Sequence, residues 1–170
     1  GDLDEFKIAA LVREGAPIDM FGVGTDLATS RDAPALGVVY KLVEIERGGH
    51  IEYKTKFSEE KVSWPGRKQV YRFSRAGKFE NDLVCRAGET HPEAEPLLRP
   101  RMQGGHRAGP PPTLADVRAR TLANLERLPE QYRALRDAPA YPVKKSPALE
   151  HLLEEVRQRH SSARRPPSAG

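Results

Sequence analysis

Residues 21–30 read Phe21-Gly22-Val23-Gly24-Thr25-Asp26-Leu27-Ala28-Thr29-Ser30. Two glycines and three hydroxyl residues follow a short apolar run here, and this order predicts a strand, a turn and a short helix. Glycine lets the backbone approach a ligand closely, and the amide N–H groups at a helix start attract an anion. The stretch predicts either an anion-binding turn or a tight connection without a ligand, and the local sequence leaves both open.

The first twenty residues predict a second loop of the same kind. Asp2 or Asp4 can cap a helix that Gly15 ends, and the apolar run from Ile18 to Phe21 fits a buried parallel strand. In a (β/α) barrel, the loops after neighbouring late strands lie at one rim and often hold a phosphate. This arrangement predicts that Asp2 lies near Gly22 to Thr25.

Two other phosphate-binding motifs fit poorly. Residue 27 is leucine where the dinucleotide fingerprint has its third glycine, and no Gly-Lys-Ser/Thr follows the loop. The sequence therefore disfavours a Rossmann site and a P-loop.

Five segments resemble, in order and spacing, the motifs of bacterial nicotinate phosphoribosyltransferases, and the match runs through most of residues 1–86. The segments are Gly1-Asp2-Leu3-Asp4-Glu5, Gly15-Ala16-Pro17-Ile18-Asp19, Phe21-Gly22-Val23-Gly24-Thr25, residues 32–43 (Asp32-Ala33-Pro34 through Val43) and Pro65-Gly66-Arg67-Lys68-Gln69-Val70-Tyr71-Arg72. Beyond about residue 95 the resemblance thins to a helical tail of the expected kind.

The resemblance implies a reaction. Members of this family join nicotinate to 5-phosphoribosyl 1-pyrophosphate and release nicotinate mononucleotide and pyrophosphate in NAD biosynthesis, with coupled ATP hydrolysis. It implies ATP and Mg²⁺ as cofactors, although their sites cannot be located in this sequence. By the same resemblance, Gly1 and Asp2 lie at the ribose hydroxyls, and Gly22, Val23, Gly24 and Thr25 hold the 5-phosphate.

The length of 170 residues bears on where the catalytic residues are expected. A (β/α) barrel needs about 250 residues, and this sequence supplies roughly one and a half of its eight units. We therefore expect the C-terminal part of a longer enzyme. The family resemblance implies that the catalytic residues, among them a histidine that becomes phosphorylated, lie upstream of residue 1. The upstream barrel portion of the same enzyme is then a partner, and the family resemblance adds a homodimer.

Composition narrows the cellular setting and the partners. A single Cys85 excludes an internal disulfide and a cysteine zinc cluster, so we expect a cytoplasmic protein without a metal site of its own. Nothing resembles a membrane span. The net charge of +4 invites a nucleic-acid hypothesis, but aromatic residues do not interleave with the basic run as a stacking surface requires. A nucleic-acid-binding or purely structural basic module is kept as the alternative, and no nucleic acid is expected.

The predicted fold class is α/β, with parts of different character along the chain. The late part of the irregular barrel takes residues 1–36, and an antiparallel β-sheet unit follows over 37–102 with strands at about 37–46, 50–57, 68–73, 79–86 and 96–102. A short helical turn is expected at 58–61. A glycine- and proline-rich linker is predicted at 103–112, a helical region at 113–160 and a disordered tail at 161–170. In that helical region, leucines at helical spacing predict one buried stripe along residues 114–128.

The remaining candidates are basic residues and histidines. Arg67 and Lys68 follow a Pro-Gly turn within a family-like motif and are candidate phosphate contacts, although alternating charges on a sheet are more often its solvated face. The five histidines are scattered, and none has metal-ligand spacing with a partner.

Overall fold

The computed structural model describes residues 2–35, 37–57 and 62–163. The chain divides into two compact units. The first comprises Gly1–Tyr40 with Ala134–Ala138, and the second comprises Lys41–Arg133 with Pro139–Gly170. The predicted helical turn at 58–61 lies outside the described residues.

The first unit contains helices α1 (Glu5–Arg13) and α2 (Thr25–Thr29). The Asp4 carboxylate caps α1 by accepting the Lys7 N–H at 2.7 Å. At the other end, Gly15 has φ +72°, and the Ala16 N–H donates to the Leu11 carbonyl at 3.0 Å. These bonds form a glycine-terminated helix end, so both caps are confirmed.

The predicted strand at Ile18–Phe21 is wrong. These residues pair with no strand, and the side chains of Ile18 and Met20 are 43% and 86% exposed. A buried parallel strand needs neighbours on both sides, and the described residues of the first unit include no strand. The assignment of residues 1–36 to a barrel therefore stays a prediction.

The second unit begins with a hairpin of β1 (Glu44–Arg47) and β2 (His50–Tyr53). Gly48 and Gly49 form its turn with φ +56° and +80°, the left-handed conformations that a two-residue hairpin requires. The turn falls between the two strands predicted at 37–46 and 50–57, but both strands are shorter than expected. Residues 38–40 belong to no helix or strand of the described part and are strongly exposed.

A four-stranded sheet follows, with the order β5-β3-β4-β8. Strands β3 (Lys68–Arg75) and β4 (Lys78–Arg86) form a long antiparallel hairpin, and β5 (Glu95–Pro96) pairs with β3. Strand β8 (Val143–Lys145) joins β4 in parallel, so the sheet is mixed and includes residues beyond 102. A three-residue strand that pairs with a distant segment leaves no periodic signal, which is why the sequence predicts an antiparallel unit instead.

The segment predicted as a strand at Pro96–Met102 and a linker at 103–112 contains a third hairpin. Strand β6 (Met102–Gln103) pairs with β7 (His106–Arg107) across Gly104 and Gly105. Two left-handed glycines, with φ +56° and +79°, make the turn. The glycines that suggest a flexible linker here serve a tight turn.

Two helices complete the second unit, α3 (Leu114–Arg127) and α4 (Pro147–Ala163), with a 3₁₀ helix at Glu130–Arg133 between them. Leu149, Leu152 and Leu153 of α4 are buried and form the core with Phe79 and Cys85. Helix α3 differs from its prediction because no residue of its leucine stripe is buried. Residues 161–163 continue α4, and the rest of the predicted tail lies outside the described residues.

Candidate functional site

Helix α2 begins directly at the predicted glycine turn. Gly24 is its N-cap, and α2 runs over Thr25–Thr29. The first N–H groups of a helix have no partner within it, so those of Thr25, Asp26 and Leu27 are free to meet a ligand, whereas the Ala28 N–H donates to the Gly24 carbonyl at 3.0 Å. The Thr29 hydroxyl, in contrast, donates to the Thr25 carbonyl at 2.8 Å and is not a free donor.

A cavity of about 320 Å³ lies at this helix start. Its lining includes Asp2, Leu3, Gly22, Gly24 and Thr25. The structure therefore brings Asp2 beside the glycine turn, as the two-loop pattern predicts. Val23 lines a neighbouring cavity with Ile8 and Leu27 instead, and Gly1 lies outside the described residues.

The sequence alone did not identify one cation at this cavity. Arg31 completes the lining together with Asp26, and its guanidinium lies 3.8 Å from the Asp26 carboxylate. The Arg31 side chain is 80% exposed, so this pair is loose and the guanidinium can turn toward an anion. In the sequence, the only feature that points to Arg31 as a site residue is its position immediately after the short helix.

The two glycines of the turn have open space around them. A Cβ atom built on Gly22 or Gly24 meets no other atom within 4 Å. Gly66 differs, because its φ is +77° and its Cβ would lie 3.2 Å from Leu152. The fold therefore requires glycine at 66 for its own packing, whereas no packed neighbour crowds a Cβ at 22 or 24.

Arg67 and Lys68 lie in the second unit and are engaged within it. The Arg67 guanidinium contacts Glu44 at 2.5 Å and Glu46 at 3.4 Å, and its N–H donates to Glu44 at 2.8 Å. Lys68 donates to the Gly66 carbonyl at 2.6 Å, and burial lowers the pKa of its amino group. Their role as phosphate contacts stays a prediction. The acidic partners of Arg67 and the lowered pKa of Lys68 leave less positive charge for a phosphate than the sequence suggests.

The rest of the basic run is paired as well. Arg72 contacts Asp82 and Arg75 contacts Glu80, at 2.8 and 2.7 Å. Lys78 donates to the Glu126 carbonyl at the end of α3. These pairs reduce the charge available to a nucleic-acid backbone, whose affinity rests on such cations.

The structure also bears on metal binding and on membrane-spanning helices. Residues 2–35, 37–57 and 62–163 contain no group of three or more His, Cys, Asp or Glu side chains that could hold a metal ion. Among the helices of the described part, none has the length and hydropathy needed to cross a membrane.

Comparisons with known proteins agree with one another. The family described as nicotinate phosphoribosyltransferase C-terminal domain matches residues 90–153. Nicotinate phosphoribosyltransferase pncB2 of Mycobacterium tuberculosis (strain H37Rv) is 41% identical over 168 residues, which cover 98% of this chain and 35% of that protein. The Homo sapiens nicotinate phosphoribosyltransferase is 32% identical over 178 residues, covering 91% and 33%.

A solved structure adds the fold. The crystal structure of human nicotinic acid phosphoribosyltransferase matches with a TM-score of 0.68 at 26% identity, over 92% of this chain and 32% of that one. The mixed α/β fold is thus shared with that enzyme. The chain belongs to the nicotinate phosphoribosyltransferase family. It spans about a third of the length of the curated relatives it matches.

Proposed function

We propose that the protein makes nicotinate mononucleotide and pyrophosphate from nicotinate and 5-phosphoribosyl 1-pyrophosphate, with coupled ATP hydrolysis, in NAD biosynthesis. Family membership supports the reaction class. The observation that supports a role for this chain is the cavity that brings Asp2 beside Gly22, Gly24 and Thr25. The first unit then forms the late part of the (β/α) barrel in the complete protein.

Each group at the cavity has a distinct proposed role. The backbone N–H groups of residues 22–25 bind the 5-phosphate, and Asp2 accepts hydrogen bonds from the ribose hydroxyls. Holding the sugar at both ends keeps C1 in line with the nicotinate nitrogen as pyrophosphate leaves, which lowers the entropic part of the barrier. The Asp2 carboxylate also favours the positive charge that develops at C1.

Arg31 extends this proposal by one residue. A phosphate at the start of α2 would lie within the same cavity as the Arg31 guanidinium. Arginine binds phosphate through two parallel N–H groups, and an exposed pair with Asp26 offers little competition. We assign Arg31 to the 5-phosphate together with the backbone amides.

ATP and Mg²⁺ are proposed as cofactors from the resemblance alone, and no described residue is assigned to either group. Mg²⁺ is usually held by one or two carboxylates together with phosphate oxygens and water. We derive no step through either group here. Their sites, like the residues that transfer phosphate, belong in this proposal to the remaining two thirds of a protein of the relatives' length.

Assembly and location follow from the resemblance alone. We propose a cytoplasmic homodimer, with the barrel portion of the same enzyme as the partner of the first unit. Analytical ultracentrifugation of the complete protein tests the dimer directly, because a single species at the monomer mass would contradict it.

The phosphate role is tested by Gly24→Val in the complete enzyme. The valine side chain would extend into the space where the phosphate is proposed to bind, and its Cβ would meet no other atom within 4 Å in the empty protein. We expect the dissociation constant for 5-phosphoribosyl 1-pyrophosphate to rise by at least about tenfold, or about 1.4 kcal/mol. The melting temperature should change by less than about 2 °C.

Gly109→Val is the matched control. Gly109 also has open space around its Cβ position and lies outside the cavity. Titration calorimetry and thermal unfolding on both variants separate the outcomes. Unchanged affinity in Gly24→Val, or an equal loss of affinity in both variants, would show that the glycine turn is merely structural.

A further inference from the structure

A second cavity, of about 360 Å³, lies in the second unit between α3 and the sheet. This volume falls at the small end of the range for ligand sites, about 300–1,000 Å³. Its walls are aromatic and aliphatic with a few polar groups. They consist of Arg72, Phe79, Thr121, Asn124, Leu125, Leu128 and Tyr141.

The way α3 is attached explains why the cavity exists. The helix is held at its C-terminal end, where Lys78 donates to the Glu126 carbonyl at 2.6 Å and the Arg127 guanidinium lies 4.4 Å from the Phe79 ring centre. Its residues 121, 124, 125 and 128 form one helical face, and that face lines the cavity. Residues 121, 124 and 125 of that face are exposed, so the cavity opens to solvent and can admit an occupant.

The charge in the cavity wall is already neutralised. Arg72 donates two hydrogen bonds of 2.8 Å to Asp82, whose exposure is only 7%. The Tyr141 hydroxyl lies 3.4 Å from the same carboxylate. An anionic ligand would have to compete with Asp82 for Arg72, and a cationic one would meet the guanidinium, so the wall favours an uncharged molecule.

The polar groups of α3 define what that molecule needs. Among the described residues, the Asn124 side-chain amide has no hydrogen-bond partner, and it offers both a donor and an acceptor. The Thr121 hydroxyl donates to the Val117 carbonyl at 2.9 Å and keeps its acceptor capacity. Phe79 and Tyr141 provide aromatic surface for a ring.

We propose that this cavity binds a small, uncharged aromatic molecule with an amide or a similar donor–acceptor group, which pairs with Asn124 and packs against Phe79, Tyr141, Leu125 and Leu128. The site lies wholly in the second unit. It is therefore independent of the phosphate site proposed for the first unit, and either can fail without the other.

Benzamide is the probe, and ¹⁵N–¹H correlation spectra of the full chain are the measurement. We expect benzamide to shift the amide signals of residues 121–128 and the Asn124 side chain, with a dissociation constant on the order of 1 mM, as befits so small a ligand. Benzoate, which has the same ring with a negative charge, should bind at least about tenfold more weakly.

Two leucines of α3 provide a matched pair of variants. Leu125→Trp fills the cavity, whereas Leu122→Trp places the same side chain on the same helix but outside the lining. The two native leucines are similarly exposed, Leu125 at 47% and Leu122 at 45%, so the variants are well matched. We expect Leu125→Trp to weaken benzamide binding at least about tenfold and Leu122→Trp to leave it within about twofold. If Leu125→Trp fails to fold, Asn124→Leu replaces it and should weaken benzamide binding but not toluene binding.

Several results would overturn the proposal. They are the absence of benzamide shifts at residues 121–128, equal binding in the two tryptophan variants, and benzoate binding as tight as benzamide. Shifts confined to residues near Gly22 and Asp2 would likewise count against it, because they would report the first unit only.

Discussion

At the scale of single residues, the Arg67–Glu44 pair shows how tertiary structure redirects a charge. The sequence offers Arg67 as a phosphate ligand, but the structure uses it to join β1 to β3 through the Glu44 carboxylate. Burial by itself would raise the pKa of Glu44, yet the Arg67 N–H and guanidinium outweigh burial and lower it. The ionised carboxylate is therefore the form that folding favours.

This pair predicts a pH dependence of stability. Because the pKa of Glu44 is lower in the folded than in the unfolded chain, its contribution is fully present above the unfolded pKa, about 4.5, and is lost as pH falls through the folded pKa. Between about pH 5 and 3, the wild-type melting temperature should thus fall more steeply than that of Glu44→Gln, by about 2 °C. Thermal unfolding by circular dichroism at several pH values measures this.

Glu130→Gln is the control for that comparison. Glu130 is exposed on the 3₁₀ helix and forms no ion pair within the described part of the chain. Its variant should follow the wild-type curve. Parallel curves for the wild type and Glu44→Gln would mean that the Arg67 contact contributes nothing to stability.

At the scale of elements, the N-cap of α4 shows how one side chain joins a helix to the sheet. Ser146 is 1% exposed, its hydroxyl oxygen accepts the Leu149 N–H at 3.2 Å, and its hydroxyl donates to the Glu89 carboxylate at 2.7 Å. One side chain thus caps the helix that supplies most of the core and ties it to the loop after β4. Removing it would leave the Leu149 N–H with only the Ser146 carbonyl oxygen, at 3.1 Å, and would take one donor from the Glu89 carboxylate.

Ser146→Ala should therefore cost about 1–2 kcal/mol of unfolding free energy. Thr113→Ala is the comparison, since Thr113 caps the exposed helix α3 through Asp116 and should cost less, about 0.5–1 kcal/mol. Urea unfolding of both variants gives the two values. Equal losses would indicate that the bond to Glu89 adds nothing to the cap.

Elements that depend on neighbours in sequence are the ones that the sequence predicts. The Asp4 cap and the Gly15 helix end follow from local backbone chemistry, and both form. The strand at 18–21 and the short strand β8 depend on distant pairing partners, so the first was predicted in error and the second was not identified as part of the sheet.

The candidate site divides in the same way. The proximity of Asp2 to Gly22–Thr25 follows from two similar loops one helix apart, and the cavity there is lined by Asp2, Gly22, Gly24 and Thr25 but not by Val23. Arg31 has no motif to mark it, and the pairing of Arg67 with Glu44 spans 23 residues of sequence. A sequence shows which cations exist but not which carboxylates will neutralise them.

At the scale of the whole molecule, we expect this chain alone to lack most of the substrate-binding surface that the proposed reaction needs. It spans about a third of its relatives, and the side chains lining the phosphate cavity include no histidine to accept phosphate from ATP. We expect the purified 170-residue chain to form no nicotinate mononucleotide from radiolabelled nicotinate, with or without ATP. ATP-stimulated turnover by this chain alone would contradict the expectation.

The control for that experiment supplies the rest of a family member. Co-expression with the two thirds of a relative that this chain does not match should restore turnover if the two pieces assemble. Exposed apolar residues such as Met20 and Val38 are the surface on which such a piece could pack.

The parallel pairing of β8 with β4 has a consequence for synthesis on the ribosome. Three of the five buried apolar side chains in the described part come from α4, which is made some sixty residues after β4. During that interval the nascent chain displays β4 with an unpaired edge, and such an edge invites association with other chains. We therefore expect the risk of aggregation to be highest during translation of the segment between β4 and α4, and a chaperone that binds the nascent chain would be most useful then.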